Sequence, residues 1–290
     1  MAFSIRVSAF SLPGSERIPA PLRRLSSILA ALFLLGSLLA ALFAPRLAPH
    51  DFARQSLSNR LQPPGRRHPL GTDEFGRDVA SRLLFGARVS LTVALTVEAV
   101  ELLFGLTLGM LAGLRGGRLD QFVMRITDLM FAFPDILLAI LITGVLGKSL
   151  FNVFLALALV GWPGMVRLVR AQTLALRGKE FVEAARAAGA SELRILLRHI
   201  LPNLLGPVLV AATVGMGAIV LAESTLSFLG LGIQEPQPSW GSMINQAWKL
   251  RRSDPMLTVY PAALLALTIM AFNFLGDGLR DWLDPRSRSL

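Results

Sequence analysis

The stretch from Leu25 to Phe43, LSSILAALFLLGSLLAALF, runs 19 residues without a charge. That is about the length an α-helix needs to cross the hydrocarbon core of a bilayer. Similar apolar runs recur along the chain, so the first is not an isolated core helix. The composition agrees: 53% of residues are hydrophobic and 17% charged, where a soluble domain keeps about a quarter charged to solvate its surface. The chain reads as an integral membrane protein, all-α and polytopic.

Six spans are expected, near 25–43, 89–112, 128–147, 151–170, 206–229 and 257–276. The third and fourth form a tight hairpin turned by Gly147, Lys148 and Ser149. Long polar connections fall at 44–88, 171–205 and 230–256, and residues 1–22 read as a disordered tail. The first run follows Arg23-Arg24 and precedes small residues, as a signal peptide does. It is longer than a usual signal core and more spans follow, so a retained anchor is expected. Six spans put both termini on one side. With both inside, Lys plus Arg number 17 on the cytoplasmic side and 12 outside, a bias in the right direction for that orientation.

The net charge of +10 sits between apolar runs rather than on one exposed face. It reads as loop charge that orients the chain and touches anionic lipid, not as a nucleic-acid surface. The chain has no Cys, which excludes disulfides and thiol catalysis. His50, His68 and His199 have no partner at metal-ligand spacing, so no metal site is expected. Gly147-Lys148-Ser149 resembles the end of a phosphate loop, but the required first glycine falls at Ile142 and no strand precedes it.

Gly178 to Asn203, GKEFVEAARAAGASELRILLRHILPN, reads as helix, break, helix. Residues 179–188 are Ala-rich helix formers, and Gly189 stands where the chain must turn left-handed. Ser191 can cap the next helix, with Glu192 in its first turn. Leu193, Leu196, Leu197 and Ile200 form an apolar stripe, and Pro202 is expected to stop it. The alanines at 184, 185, 187 and 188 let another surface approach closely. Such a hairpin suits either docking into a partner's groove or lying on the bilayer.

Glu183-Ala184-Ala185, Gly189 and Ile200-Leu201-Pro202 resemble the EAA loop of ABC importer permeases, in particular the dipeptide/oligopeptide branch. His68 to Val79, HPLGTDEFGRDV, is similar to the signature of the C-type permease of that branch. Ser227 to Gly232 with Pro238 to Gly241, and Leu275 to Asp281 with Asp284-Pro285-Arg286, match its later segments. The four occur in the expected order, and the resemblance runs from about residue 40 to 287.

The resemblance implies a type-1 ABC transmembrane domain. It would comprise a cytoplasmic tail (1–24), a first helix (25–43), an external loop (44–87), a five-helix core (88–276) and a cytoplasmic tail (277–290). Glu183, Ala184, Ala185, Gly189, Ile200 and Pro202 become the positions coupled to an ATPase at 178–202. The implied partners are a second homologous permease, two ATPase subunits or domains, an external solute-binding protein and membrane lipid. The implied location is a bacterial cytoplasmic membrane. The chain itself would carry no cofactor, ATP and Mg²⁺ belonging to the ATPases, and no catalytic residue. Di- and oligopeptides are the implied cargo, with nickel complexes, glutathione and some sugars using similar permeases.

Acidic residues inside spans form a separate question. Glu98 and Glu101 are three apart, on one helical face that Gly105, Gly109 and Gly113 extend. Acids in hydrocarbon are expensive, so this face should point at protein or a water path. Either the pair lines a path for amine-bearing cargo, or it bonds neighbouring helices. Glu223 and Asp135 are weaker candidates of the same kind. The external segment 68–82 reads as turn-rich, and Pro236, Pro238 and Trp240 give the last external segment rigidity and an interfacial aromatic. A secondary transporter would need broken, inverted halves, and an intramembrane enzyme a catalytic set. Neither pattern is present, and neither would explain the hairpin.

Overall fold

The computed structural model describes residues 20–283. The expected N-terminal tail and the Asp284-Pro285-Arg286 ending lie outside those residues. Among the described residues the regular structure is helical, which bears out the all-α reading.

Helix α1 (Ala20–Leu42) is the first span. It turns Leu25, Ile28, Leu29, Leu32, Leu35 and Leu39 outward and buries Ala30 and Ala41. A helix in lipid has no reason to hide its leucines and packs where its residues are small. The short α2 (Ala44–Leu47) follows.

Helix α3 (Val79–Phe104), a π-helical turn (Gly105–Gly109) and α4 (Met110–Arg115) make one 37-residue rod. At 1.5 Å per residue it is about 55 Å long, far more than the roughly 30 Å hydrocarbon core. It is therefore longer than a single crossing requires. It begins at Val79, not near residue 88, because Asp78 caps it: the Asp78 carboxylate accepts from the Ser81 backbone N–H at 2.8 Å. The expectation that 68–82 avoids helix fails for its last four residues.

The third expected span, 128–147, is a correction. The structure places two helices there, α5 (Gly117–Phe131) and α6 (Asp135–Leu146), bent by 82° at Pro134. Pro134 clears the α conformation from the residue before it and lacks the N–H that would continue α5. The 12 residues of α6 reach only about 18 Å, too short to cross alone. Five helices are long and apolar enough to cross, or six if the bent pair is one broken span.

The hairpin into α7 (Leu150–Arg177) is as expected. Gly147 adopts φ +90°, and Ser149 caps α7 by accepting from the Asn152 N–H at 3.1 Å. Helices α8 (Glu180–Ala187) and α9 (Glu192–Ile195) form the next connection. A π-helical turn (Leu196–Ile200) then feeds α10 (Leu201–Phe228). Pro202 does not stop this helix. It sits in the first turn of α10, where a missing N–H is harmless, and the rod continues from Glu192 to Phe228.

The connection 230–256 contains α11 (Trp240–Trp248), closed by a Ser239/Ser242 capping box. Helix α12 (Met256–Leu283) runs past the expected end of the last span at 276. Trp240 is buried rather than interfacial: it is 1% exposed, and its indole N–H donates to the Leu83 carbonyl at 3.3 Å. Gly86 makes room for the ring. The core lies where α3, α7, α10 and α12 meet, around Val93, Ala94, Val97, Val153, Ala156 and Val220.

Candidate functional site

The 178–202 segment folds as a helical hairpin with a well-defined corner. Gly189 has φ +78°. Its N–H donates to the Arg186 carbonyl at 3.0 Å, and the Ala190 N–H to the Ala185 carbonyl at 3.0 Å. These two bonds make a complete Schellman motif. Ser191 Oγ then caps α9, accepting from the Arg194 N–H at 3.4 Å.

The hairpin is anchored on one side and bare on the other. Val182 is fully buried against Val169, Ile195, Leu196, Ile200 and Leu204. Glu183, Ala184, Ala187 and Gly189 are exposed, and Ala185 is half-buried. The expected apolar stripe is only half right. Leu196 and Ile200 are buried together with Ile195, while Leu193 and Leu197 are exposed. The π-helical turn inserts an extra residue and shifts the facing set. Glu192 Oε2 receives Arg115 Nε at 2.9 Å, tying the corner to the end of α4. Arg177 donates to the Gly113 carbonyl at 3.0 Å. Asp120 accepts both Nε and Nη2 of Arg170, and Asp128 pairs with Arg167. The small, charged outer surface is thus mounted on a braced base.

The intramembrane acids separate into three situations. Glu223 is fully buried, and its carboxylate accepts from Ser90 Oγ at 2.8 Å, Ser227 Oγ at 2.7 Å and Ser224 Oγ at 3.3 Å. This is a helix-to-helix tie between α3 and α10. Glu98, 3% exposed, rests on Gly215 of α10, and neither of its carboxylate oxygens has a hydrogen-bond partner. Glu101 is half-buried against Gly161 of α7. The two carboxylates therefore address different neighbours, and the glycine stripe follows Glu101 alone. A Cβ on Gly109 or Gly113 would come within 2.8 Å of Val169 Cβ or 2.7 Å of Thr173 Cβ. Asp135 is exposed at the start of α6. The idea that Glu98 bonds a neighbouring helix finds no partner among the described residues.

A second cluster escaped sequence reasoning. Arg77 and Arg82 are each 1% exposed. Arg77 Nε donates to Asp73 Oδ2 at 2.6 Å, and its Nη1 pairs with Glu235. Arg82 Nη2 donates to Glu235 Oε1 and to Gln246 Oε1, both at 3.2 Å. The network clasps the segment before α3 to the segment carrying α11. Arg77 lies inside the HPLGTDEFGRDV stretch, but Glu235 is 158 residues away, and nothing local announces the pairing.

The fold also brings His50 and His68 onto Asp78. Linear spacing hid this arrangement, and it corrects the view that neither histidine has a suitable partner.

Residues 105–289 match the family model described as binding-protein-dependent transport system inner membrane component. A dipeptide transport system permease protein DppC of Alkalihalophilus pseudofirmus is 44% identical over 91% of this chain and 86% of that protein. The oligopeptide permease OppC of Bacillus subtilis is 39% identical over 87% and 82%. The glutathione permease GsiD of Pectobacterium atrosepticum is 42% identical over 92% and 89%. An inward-facing MetNI methionine ABC transporter structure aligns with TM-score 0.59 at 21% identity, over 70% of this chain and 96% of that one. That likeness is one of fold. With a family match over more than half its length and relatives near 40% identity along most of it, the chain belongs to the binding-protein-dependent transport system inner membrane components, the permease subunits of ABC importers.

Proposed function

We propose that this chain forms half of the membrane pathway of an ATP-driven importer for di- and oligopeptides. The observation that carries the reading is the hairpin at 178–202: a bare, alanine-lined α8 with Glu183 exposed on the helix, braced from behind by Val182 and the Arg115–Glu192 pair. A bare surface of small side chains lets a partner's groove approach the helix backbone closely. A partner ATPase that closes on ATP and moves this lever would rock the bundle against a second permease, so that access alternates between the two faces. ATP hydrolysis then belongs to the partner. The rest of the assembly is two ATPase subunits or domains and an external binding protein, with both termini of this chain in the cytoplasm.

The cargo class rests on relatives named for dipeptide, oligopeptide and glutathione transport. Glutathione is itself a tripeptide, so the three agree on short peptides. Uptake of a labelled dipeptide into vesicles carrying the whole assembly tests the reading. It should require ATP and the binding protein, and it should persist when ion gradients are collapsed. Uptake that follows an ion gradient without ATP would overturn it.

A further inference from the structure

His50 follows α2, His68 opens the segment before α3, and Asp78 caps α3. In the folded chain they converge. His68 Nδ1 lies 2.9 Å from Asp78 Oδ1, and His50 Nδ1 lies 3.7 Å from the same oxygen. One ligand atom from each residue falls within 4.8 Å of the others. The two imidazoles stack with centroids 4.5 Å apart. The other Asp78 oxygen is fully engaged, accepting from the Ser81 N–H at 2.8 Å and Ser81 Oγ at 2.7 Å. That bonding holds the carboxylate still and aims Oδ1 at the two rings.

His50 is the telling residue. A His68–Asp78 pair would be satisfied alone. Yet the His50 backbone N–H is fixed on Ser81 Oγ at 3.1 Å, and its ring nitrogen Nδ1 is buried with no hydrogen-bond partner. At 3.7 Å it is too far from Asp78 to share a proton. A buried, unpaired nitrogen aimed at a carboxylate shared with a second imidazole is the arrangement a cation would complete.

We propose that His50, His68 and Asp78 bind a first-row divalent cation of the zinc or nickel class on the outer cap of the bundle. Zinc sits about 2.0–2.2 Å from imidazole nitrogen and carboxylate oxygen, so tetrahedral ligands lie roughly 3.4 Å apart. The two nitrogen–oxygen separations, 2.9 and 3.7 Å, straddle that edge. Two imidazoles and one carboxylate suit such an ion, whereas Mg²⁺ and Ca²⁺ take oxygen ligands. Each ring binds through the Nδ1 lone pair with its proton on Nε2, so the His68 proton that now bridges Nδ1 and Asp78 Oδ1 moves to Nε2 as the ion replaces that hydrogen bond. The His68 and Asp78 side chains are 12% and 0% exposed and that of His50 is 37% exposed, so the ion enters past His50. Bound, it would staple the loop after α2 to the start of α3, one turn from Arg82 and beside Arg77.

The test uses the whole assembly purified through a histidine-free tag and stripped with a chelator. Zn²⁺ alone, then Ni²⁺ alone, is titrated in competition with a chromogenic chelator. Wild type and a His199→Ala control should bind one saturable equivalent that a hundredfold excess of Mg²⁺ does not displace. In His50→Ala and His68→Ala the affinity of that equivalent should fall at least tenfold. Asp78 is left unchanged because it also caps α3. An unchanged affinity in His50→Ala, no saturable equivalent in wild type, or displacement by Mg²⁺ would each overturn the proposal. A melting curve without metal that matches wild type shows the His50→Ala chain to be folded. Should it not match, His50→Gln, which keeps a polar side chain of similar reach, replaces it under the same criteria.

Discussion

Gly189 offers the most direct handle on the hairpin. Its φ is +78° and a Cβ built there meets nothing within 4 Å. Substitution therefore acts through backbone conformation and not through a clash inside this chain. An L-residue held left-handed costs about 1–2 kcal/mol, and a β-branched one lies at the upper end or beyond. That cost corresponds to roughly a 5- to 30-fold fall in the ratio of turned to unturned hairpin, which sets the upper limit on the loss of uptake. Gly189→Val should cut ATP-driven uptake, by up to that factor, while the assembled amount, read by detergent extraction and size-exclusion, stays within twofold. Asn tolerates the left-handed region best after Gly, so Gly189→Asn should lose least and Gly189→Ala should fall between. Normal uptake in the Val variant would refute the reasoning. So would a defect in Asn as deep as in Val, since it would trace the loss to lack of room at the docking surface instead of to φ.

Four further outcomes follow from the packing. Glu223→Leu strands three buried serine hydroxyls and should lower the thermal midpoint and the assembled amount, each orphaned group costing about 1–3 kcal/mol; a wild-type melt would contradict the tie. Glu98→Gln gives up no hydrogen bond, so its melt should match or exceed wild type, and a clear loss of stability would show a partner for Glu98. If Glu98 and Glu101 line the path, Gln at both should raise KM for cationic peptides more than for neutral ones, and salt should matter less; a uniform effect across substrates would exclude a charge role. Glu235→Ala leaves Arg77 and Arg82 short of a counter-charge and should destabilise by about 1–3 kcal/mol, discounted because Glu235 is 45% exposed; a neutral result would mean that Asp73 and Gln246 suffice.

What could be read in advance depended on how local the cause was. The hairpin corner is written in consecutive residues: a helix former run, a glycine at C′ and a serine cap. Those rules act within one turn, and the Schellman bonds follow. The apolar spans were legible for the same reason, except where hydropathy alone spoke. Residues 128–147 are apolar enough to cross, yet the chain bends by 82° at Pro134 between α5 and α6, and an average over the window is blind to one missing N–H. Pro202 misled in the opposite sense, because a proline in the first turn of a helix looks like one that ends a helix. Arg77–Glu235, Trp240–Leu83 and His50–Asp78 join distant segments, and no spacing rule reaches across them. Trp240 was misplaced because a tryptophan beside polar loops suits the membrane interface equally well. Only the packed cap shows that its indole N–H is used inside.

The central claim is that the bare face of α8 is where an ATPase docks. The chain has no cysteine, so single cysteines report cleanly. Ala184→Cys places a thiol on the exposed face of α8, and Ser253→Cys places one on the exposed connection between α11 and α12 at the other end of the bundle. Each variant is labelled with a maleimide in detergent, with and without the ATPase subunits, and modification is read on this chain by mass spectrometry. The account predicts that the ATPases slow labelling at 184 at least tenfold and leave 253 unchanged. Equal labelling at 184 in both states would contradict it.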